Sequence, residues 1–378
     1  MSKEKFKQID TKLKENKMSI QDVKEQLKPI KPRLSIKYKN REASIRKPKI
    51  FVDFSTKTVL TDSTWEYVKI YLKSENQTDA LFYWEQAYNF YEATKSLTLI
   101  SKPLTAYYCF LNATKALLEV KNVNYDLAHG VTGKKADGLI TIRNEIVKFQ
   151  PKGVVSALSY YLEESIPEEG IEFSLKDIFY NLSYIHRSFT LTYKDRAELF
   201  IPILRPRFVY DKSRNESWLE LQLEPEHSNK TVLNKLKGYS IDKYYDNSEF
   251  YTLRRNKTFT WNAPRSKPTS ESMKNLKSYY SQRRKELRYI YSPRELWYIK
   301  RKDLTNNIIG RSTISLTIGA MHRLSELSRY NPKILSKHLE KDASWLLTEF
   351  INKSIYQFID QISSEITGND FRVTGFRT

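Results

Sequence analysis

The stretch Ala136–Phe149, read ADGLITIRNEIVKF, is the part of the chain that looks most like a hydrolytic centre. Asp137 precedes a segment bearing Glu145 and Lys148. Metal-dependent nucleases use such groups: two carboxylates hold a divalent cation, and a lysine orients the attacking water. The spacing argues against it here. Lys148 stands three residues from Glu145, and on a strand an odd spacing sends the two side chains to opposite faces. A strand carrying exposed charges is the plainer reading.

The five histidines, His129, His186, His227, His322 and His338, do not suit a metal-free ribonuclease of the HEPN kind. That chemistry needs an arginine four to six residues from a histidine on one helix, and no such pair exists in the chain. Asn181 and His186 have the spacing but lack the arginine, so His186 stands with Asp137 and Glu145 as a weak catalytic candidate. No GxxxxGK[ST], GxGxxG, GxSxG or HExxH string occurs, which removes most nucleotide-dependent, α/β-hydrolase and zinc-protease chemistries. No cofactor and no metal are expected.

Basic and aromatic residues interleave between 240 and 302. Arg254, Arg255, Lys257, Trp261, Arg283, Arg284, Lys285, Arg288 and Arg301 are the candidate binding residues, set among Tyr244, Tyr245, Tyr251, Tyr279, Tyr280, Tyr289, Tyr291, Trp297 and Tyr298. Cations neutralise phosphates and release counterions, and aromatic rings stack on unpaired bases. The combination predicts a surface for single-stranded nucleic acid or a distorted duplex, DNA or RNA. Two other readings stay open: a face for an acidic partner protein, and aromatics that simply pack inward beneath solvated charges.

Charge bookkeeping singles out the same region. The 378 residues carry a formal net charge of +20. Residues 1–50 and residues 240–302 each hold 16 Lys/Arg and 6 Asp/Glu, while the remaining 265 residues hold 32 of each. The whole excess therefore lies in two segments, and polyanions are the first partners to consider. At 40% hydrophobic and 13% aromatic the chain can bury a large core and is not wholly disordered. A lone cysteine, Cys109, excludes an intramolecular disulfide and suits a reducing compartment. Without a long apolar run, no membrane span and a cytoplasmic location are expected.

The elements that must position these residues follow from periodicity. Residues 1–28 carry a weak helical stripe before Pro29 and Pro32. Residues 50–54 read as a strand, and 62–74, 78–98 and 103–120 as helices, the last with Pro103 in its first turn. A strand is predicted at 139–149, helices at 154–165 and 175–189 with Ser174 as N-cap, and an antiparallel pair at 198–211 and 217–224. Short strands at 249–254 and 257–261, a loop at 262–270 and a basic helix at 271–290 follow. Helices at 311–328 and 343–366 close the chain. The predicted class is α+β, predominantly helical with a small antiparallel β-rich insertion. The predicted parts are a basic N-terminal arm (1–50), an N-terminal helical part (51–138), a β-containing middle region (139–261) and a C-terminal basic and helical part (262–378), with 51–378 forming one compact unit.

Several segments together resemble the YaaC-like family of bacterial proteins. They are AYYCFLNATKALLEV (106–120), AHG (128–130), KGVVSALSYYL (152–162), LKDIFYNLSYIHRSF (175–189) and LSELSRYNPKIL (324–335). Asn112, Lys115, His129, Gly130, Arg329, Tyr330 and Pro332 stand where the family's recurrent residues are expected. Leu335, where the family favours Trp, and Val155, near which it favours an aromatic, depart from the pattern. The resemblance implies a helical intracellular protein found near ATPases and nucleases in antiphage defence loci. It leaves residues 1–50 outside. A non-enzymatic nucleic-acid-binding subunit of a bacterial antiphage complex is the expectation. A nuclease or toxin effector and a scaffold for an acidic ATPase are the alternatives. Physically, Asn112 and Lys115 share a helix face, His129-Gly130 would end a helix with an αL cap, and Pro332 would stop one. A pocket joining Asn112, Lys115, His129 and Arg329 would suit a phosphate.

Overall fold

A computed structural model describes residues 10–14, 17, 33–242, 249–264, 267–294 and 296–373. Tyr244, Tyr245 and most of the N-terminal helical stripe lie outside the described residues, although 10–14 are helical. The described chain begins with short strands β1 (Leu34–Ser35), β2 (Lys37–Tyr38), β3 (Arg41–Glu42) and β4 (Val59–Thr61). Helices α1 (Thr64–Ser74), α2 (Thr78–Lys95) and α3 (Lys102–Val120) follow. Next come β5 (Val131–Lys135), β6 (Glu145–Phe149), α4 (Val154–Tyr161), β7 (Ile171–Ser174), α5 (Leu175–Tyr180) and α6 (His186–Thr192). The long hairpin of β8 (Phe200–Asp211) and β9 (Glu216–Leu223) leads to α7 (Lys230–Lys235), β10 (Tyr239–Ile241), β11 (Thr252–Arg255) and α8 (Ser270–Arg284). Strands β12 (Leu287–Ile290) and β13 (Leu296–Lys300), helices α9 (Thr313–Tyr330), α10 (Pro332–Leu339) and α11 (Ser344–Thr367), and β14 (Phe371–Val373) complete it.

Local chemistry sets many of these boundaries. Ser174 caps α5 by accepting from the Asp177 N–H at 3.0 Å, and Ser63, Thr269 and Ser312 do the same for α1, α8 and α9. Pro103 sits in the first turn of α3, where its missing N–H costs nothing. Gly368, at φ +73°, ends α11 in the left-handed conformation.

Seven strands form one antiparallel sheet in the order β10-β11-β9-β8-β13-β12, with β1 beside the far half of β8. Its register breaks between Leu204 and Arg207. Pro206 has no N–H to give a ladder, and Arg205 takes φ +47°, so the strand bulges and turns the Arg205 side chain outward. A second antiparallel sheet, β5-β6-β7, packs against α9.

Two hydrophobic clusters result. The larger joins α1, α2, α3, α9 and α11 with β6 and α4. The smaller lies between the seven-stranded sheet and α8, and it takes in Ile36, Ala43, Ile45, Val52 and Phe54. Lys49 ties the two together. Its ammonium donates to Leu162 O at 2.6 Å and meets Glu164 at 2.9 Å. The Glu365 carboxylate on α11 accepts from the backbone of Lys49, Ile50 and Phe51.

The class is mixed α+β, at 45% helix and 19% strand. Those fractions do not carry the expected helical predominance. Expectations about several segments are corrected. Residues 33–50 are no arm: β1 pairs with β8, and Ile36, Ala43 and Ile45 are core. The β structure is not confined to 139–261, because its largest sheet recruits β1, β12 and β13 from outside that range. The helix expected over 271–290 stops at Arg284, and 287–290 is a strand whose every second residue meets the core. Residues 50–54 form no strand, and of the strand expected at 139–149 only Glu145–Phe149 forms, paired with a strand at Val131–Lys135 that was not expected.

Candidate functional site

The basic residues singled out between 254 and 301 mostly point inward. Trp261, Arg283, Arg284, Arg288 and Arg301 are buried. The Arg284 guanidinium donates to the carbonyls of Arg46 (2.9 Å), Lys47 (2.7 Å) and Leu287 (2.7 Å), so it fastens the N-terminal segment to β12. Arg283 pairs with Glu286 at 2.8 Å. Arg288 donates to Lys285 O and Arg311 O, and Arg301 grips Asp303 at 2.6 Å. Half-buried Arg254 stacks 4.0 Å from the Trp218 ring centroid, and Arg255 lies 5.0 Å from that of Tyr239. Lys257 and Lys285 are exposed, but Lys257 bonds Gln282 and Lys285 pairs with Glu163 at 3.0 Å. The aromatics beside them, Tyr279, Tyr280, Tyr289 and Trp297, are core residues. An arginine among carbonyls and an aromatic in a core are not a surface, so Trp261, Arg283, Arg284, Arg288 and Arg301 serve the fold and not an interface, while Lys257 and Lys285 stay on the surface.

The surface charge of the same two segments converges elsewhere. A cleft of about 660 Å³ opens between the 41–47 segment, the β8 bulge, the β12–β13 turn and β14. Eight arginines and lysines line it against two acids, Glu42 and Asp370. Arg46 and Arg207 are engaged by Asp370 and Glu220, and Lys47 by the Asp360 carboxylate behind the wall. Arg41, Lys57, Arg205 and Arg294 form no ion pair among the described residues. The bulge supplies Arg205, and Lys57 and Arg294 come from loops.

On the other side of the β2–β3 hairpin lies a shallow groove lined by Lys39, Lys267, Lys274 and Lys277, with no acidic residue among the described residues that line it. Tyr38, Lys39 and Asn40 wall the groove, while Arg41 and Glu42 wall the cleft. One hairpin thus separates two cationic hollows, and eight cations that form no ion pair among the described residues lie around it, all exposed except half-buried Arg41. Like charges gathered at this density raise the local potential and draw in a polyanion.

The nuclease-like residues do not form a centre. Glu145 is fully buried, and its carboxylate accepts from Arg323 Nε (3.0 Å) and Nη2 (2.7 Å) and meets His338 Nε2 at 2.9 Å. Burial alone would raise its pKa, but these bonds hold it below the usual carboxylate value. Lys148 points to the other face of β6, as its spacing requires. Asp137 is exposed in the turn before β6, where its carbonyl accepts from Asn144. His186 packs against Phe200 and Tyr298, and its Nδ1 lies 2.5 Å from Ser183 O. Neither pattern expected of a nuclease is assembled from these three residues.

A buried polar chain continues from Glu145. Arg323 also meets Glu326 at 2.9 Å, and Glu326 lies 3.9 Å from His322 Nδ1. The His322 ring packs edge-on to Tyr107 and His129, and Tyr107 OH meets His129 Nδ1 at 2.5 Å. Burial, with His129 and Arg323 nearby, pushes His322 down to about 3. Burial lowers His129 too, helped by the nearby charge of Lys115, whose ammonium lies 5.1 Å from the Tyr83 ring. Lys115 and His129 therefore do come together. Asn112 instead donates to Tyr108 O one turn back, and Arg329 lies outward over the Tyr330 ring. Gly130, at φ +76°, turns the chain into β5 and caps no helix. Pro332 opens α10 as its first residue.

Most of the cations around the hairpin come from the two segments that carry the charge excess, but they are not the residues named as candidates within them. Lys39, Arg41, Lys267, Lys274, Lys277 and Arg294 all lie within the two segments that hold the charge excess. Lys57 and Arg205 lie outside both. The proline in Leu204-Arg205-Pro206-Arg207 was the available signal for Arg205, since a proline inside a strand marks a bulge.

Among the described residues no helix is long and apolar enough to cross a membrane. Comparison with known families finds that the family described as YaaC-like protein matches residues 52–366. No curated protein and no solved structure matches the chain.

Proposed function

The chain belongs to the YaaC-like protein family, and from that premise we propose that it is a non-enzymatic nucleic-acid-binding protein that holds phosphates across the two cationic hollows beside the β2–β3 hairpin. The observation that carries this reading is the gathering of Arg41, Lys57, Arg205 and Arg294 on one side, and of Lys39, Lys267, Lys274 and Lys277 on the other, none in an ion pair among the described residues. Surface lysines and arginines on a neutral protein body normally find acids nearby. Here the acids are spent inward: Glu220 on Arg207, Asp370 on Arg46 and Asp360 on Lys47. A line of fixed cations suits a ligand with regularly spaced charge, and a phosphodiester backbone is one.

Membership of a bacterial antiphage defence complex, beside an ATPase or nuclease of the same locus, is part of the same proposal and rests on the family resemblance. The test is a binding titration of labelled DNA and RNA with the full chain and with Arg205→Glu/Arg294→Glu. Binding at low salt that the double variant loses supports the reading. Binding unaffected by the double variant, or no binding, refutes it. Polyglutamate of equal charge serves as a competitor. If it displaces the nucleic acid at equal charge concentration, the hollows serve an acidic protein instead.

A further inference from the structure

The cationic cleft does not end at its cations. Ile290, Ser292 and Arg294 line it, and Tyr291 between them turns the other way. The Tyr291 ring stacks on that of Tyr356 on α11, with centroids 6.0 Å apart and planes 12° from parallel. Tyr356 meets Tyr91 on α2 at 6.4 Å, and Tyr91 in turn stacks on Trp65 on α1 at 5.3 Å and 27°. Four rings from four separated segments thus touch in an unbroken series, stacked at both ends and edge-on between Tyr356 and Tyr91. Tyr356 keeps 48% of its surface in solvent.

Two anchors hold this series to the cleft. The Tyr291 N–H donates to Gln357 Oε1 at 2.7 Å, next to Tyr356. Asp360, one turn further along α11, meets the cleft's Lys47 at 2.8 Å. A cleft cation stands close to the rings in sequence: Arg294 is three residues beyond Tyr291.

We infer that the ligand of this surface is single-stranded nucleic acid, with phosphates in the cleft and an unpaired base stacked on Tyr356. This deepens the proposed function and rests on it. The pairing of a phosphate-binding hollow with an adjacent half-exposed ring is what an unpaired strand needs, because each of its nucleotides presents a charge and an aromatic face together. A duplex keeps its bases stacked inside and would leave Tyr356 idle. Stacking on one ring accepts any base, so the surface should discriminate strandedness and not sequence.

The experiment uses the full chain and three labelled probes of equal length: an oligothymidylate, the same backbone with abasic sites, and a duplex. Fluorescence anisotropy is read for the wild type, Tyr356→Ala and Arg205→Glu/Arg294→Glu. Tyr356→Leu, which keeps bulk on α11, guards against a folding artefact. The expected result is that both Tyr356 variants weaken oligothymidylate binding by roughly tenfold. Their affinity for the abasic strand and the duplex should stay within about twofold of the wild type, and the wild type should prefer oligothymidylate to the abasic strand. Equal loss on all three probes, no loss on any, or equal wild-type affinity for the first two probes overturns the inference. Weakening of every probe by Arg205→Glu/Arg294→Glu alone leaves the phosphate reading standing while the stacking inference falls. No binding of any probe by the wild type at low salt removes both.

Discussion

Reversing the charge of Arg284 should unfold the protein, while reversing that of its neighbour Lys285 should leave it folded. The two residues are adjacent, equally basic and indistinguishable by composition. Arg284 is 3% exposed and places three N–H groups on the carbonyls of Arg46, Lys47 and Leu287. Hydrogen bonds from a charged donor contribute about 1.5–3 kcal/mol each, and an orphaned buried carbonyl costs about 1–3 kcal/mol. Arg284→Met should therefore lose roughly 3–9 kcal/mol, against a total stability of about 5–15 kcal/mol for a typical domain. Arg284→Glu adds a buried carboxylate facing three carbonyl oxygens and should not fold at all. Lys285 pairs with Glu163 at 3.0 Å with both side chains about half exposed, a geometry that contributes about 0–1 kcal/mol. Circular-dichroism melts and gel filtration of the three variants decide the matter. A soluble Arg284→Glu variant melting within a few degrees of the wild type would refute the argument, since it would mean that the guanidinium is not a fastener.

Three further outcomes follow from the same reasoning. Stability should fall as pH drops from about 6.5 towards 3, because the unfolded chain takes up a proton that His322 in the fold refuses. Above pH 6.5 the residue is neutral in both states and contributes nothing. At pH 5 the loss is about 2 kcal/mol, read by urea denaturation at pH 7 and pH 5, with His322→Gln flattening the slope. Glu145→Gln removes the buried charge shared by Arg323 and His338, leaving Arg323 only Glu326, and should cost about 3–5 kcal/mol. Asp137→Asn, on an exposed turn, should change the melt by less than about 0.5 kcal/mol. If instead Asp137→Asn and Glu145→Gln abolished a Mg²⁺-dependent cleavage while both proteins stayed folded, the structural assignment of Glu145 would be wrong.

The long helices were legible because their apolar residues recur at helical spacing over many turns. α3 and α11 needed nothing beyond Pro103 and their own periodicity. The β8–β9 hairpin was legible too, from β-rich runs flanking a polar turn. What escaped was non-local. The pattern 271–290 looks helical throughout, but pairing with β13 claims 287–290 as strand, and that partner lies outside any local window. Residues 33–50 looked like a solvated arm because their apolar residues are sparse. Ile36, Ala43 and Ile45 become core only when β8 supplies the other wall. The basic stretch failed for a related reason. Composition gave the net charge of a segment correctly, but whether an arginine faces water or a carbonyl depends on the tertiary neighbours. Arg283 and Arg284 found theirs inside, and Lys274 and Lys277 on the same helix did not.

The central claim is that a fixed set of cations with no ion pair among the described residues binds phosphates, and the salt dependence of binding tests it most directly. With all eight of Arg41, Lys57, Arg205, Arg294, Lys39, Lys267, Lys274 and Lys277 engaged, the slope of log K against log salt should approach about −6 on a single strand. Arg205→Glu/Arg294→Glu should reduce its magnitude by about 1.5 or more. A slope near zero, or one the double variant leaves unchanged, would contradict the account.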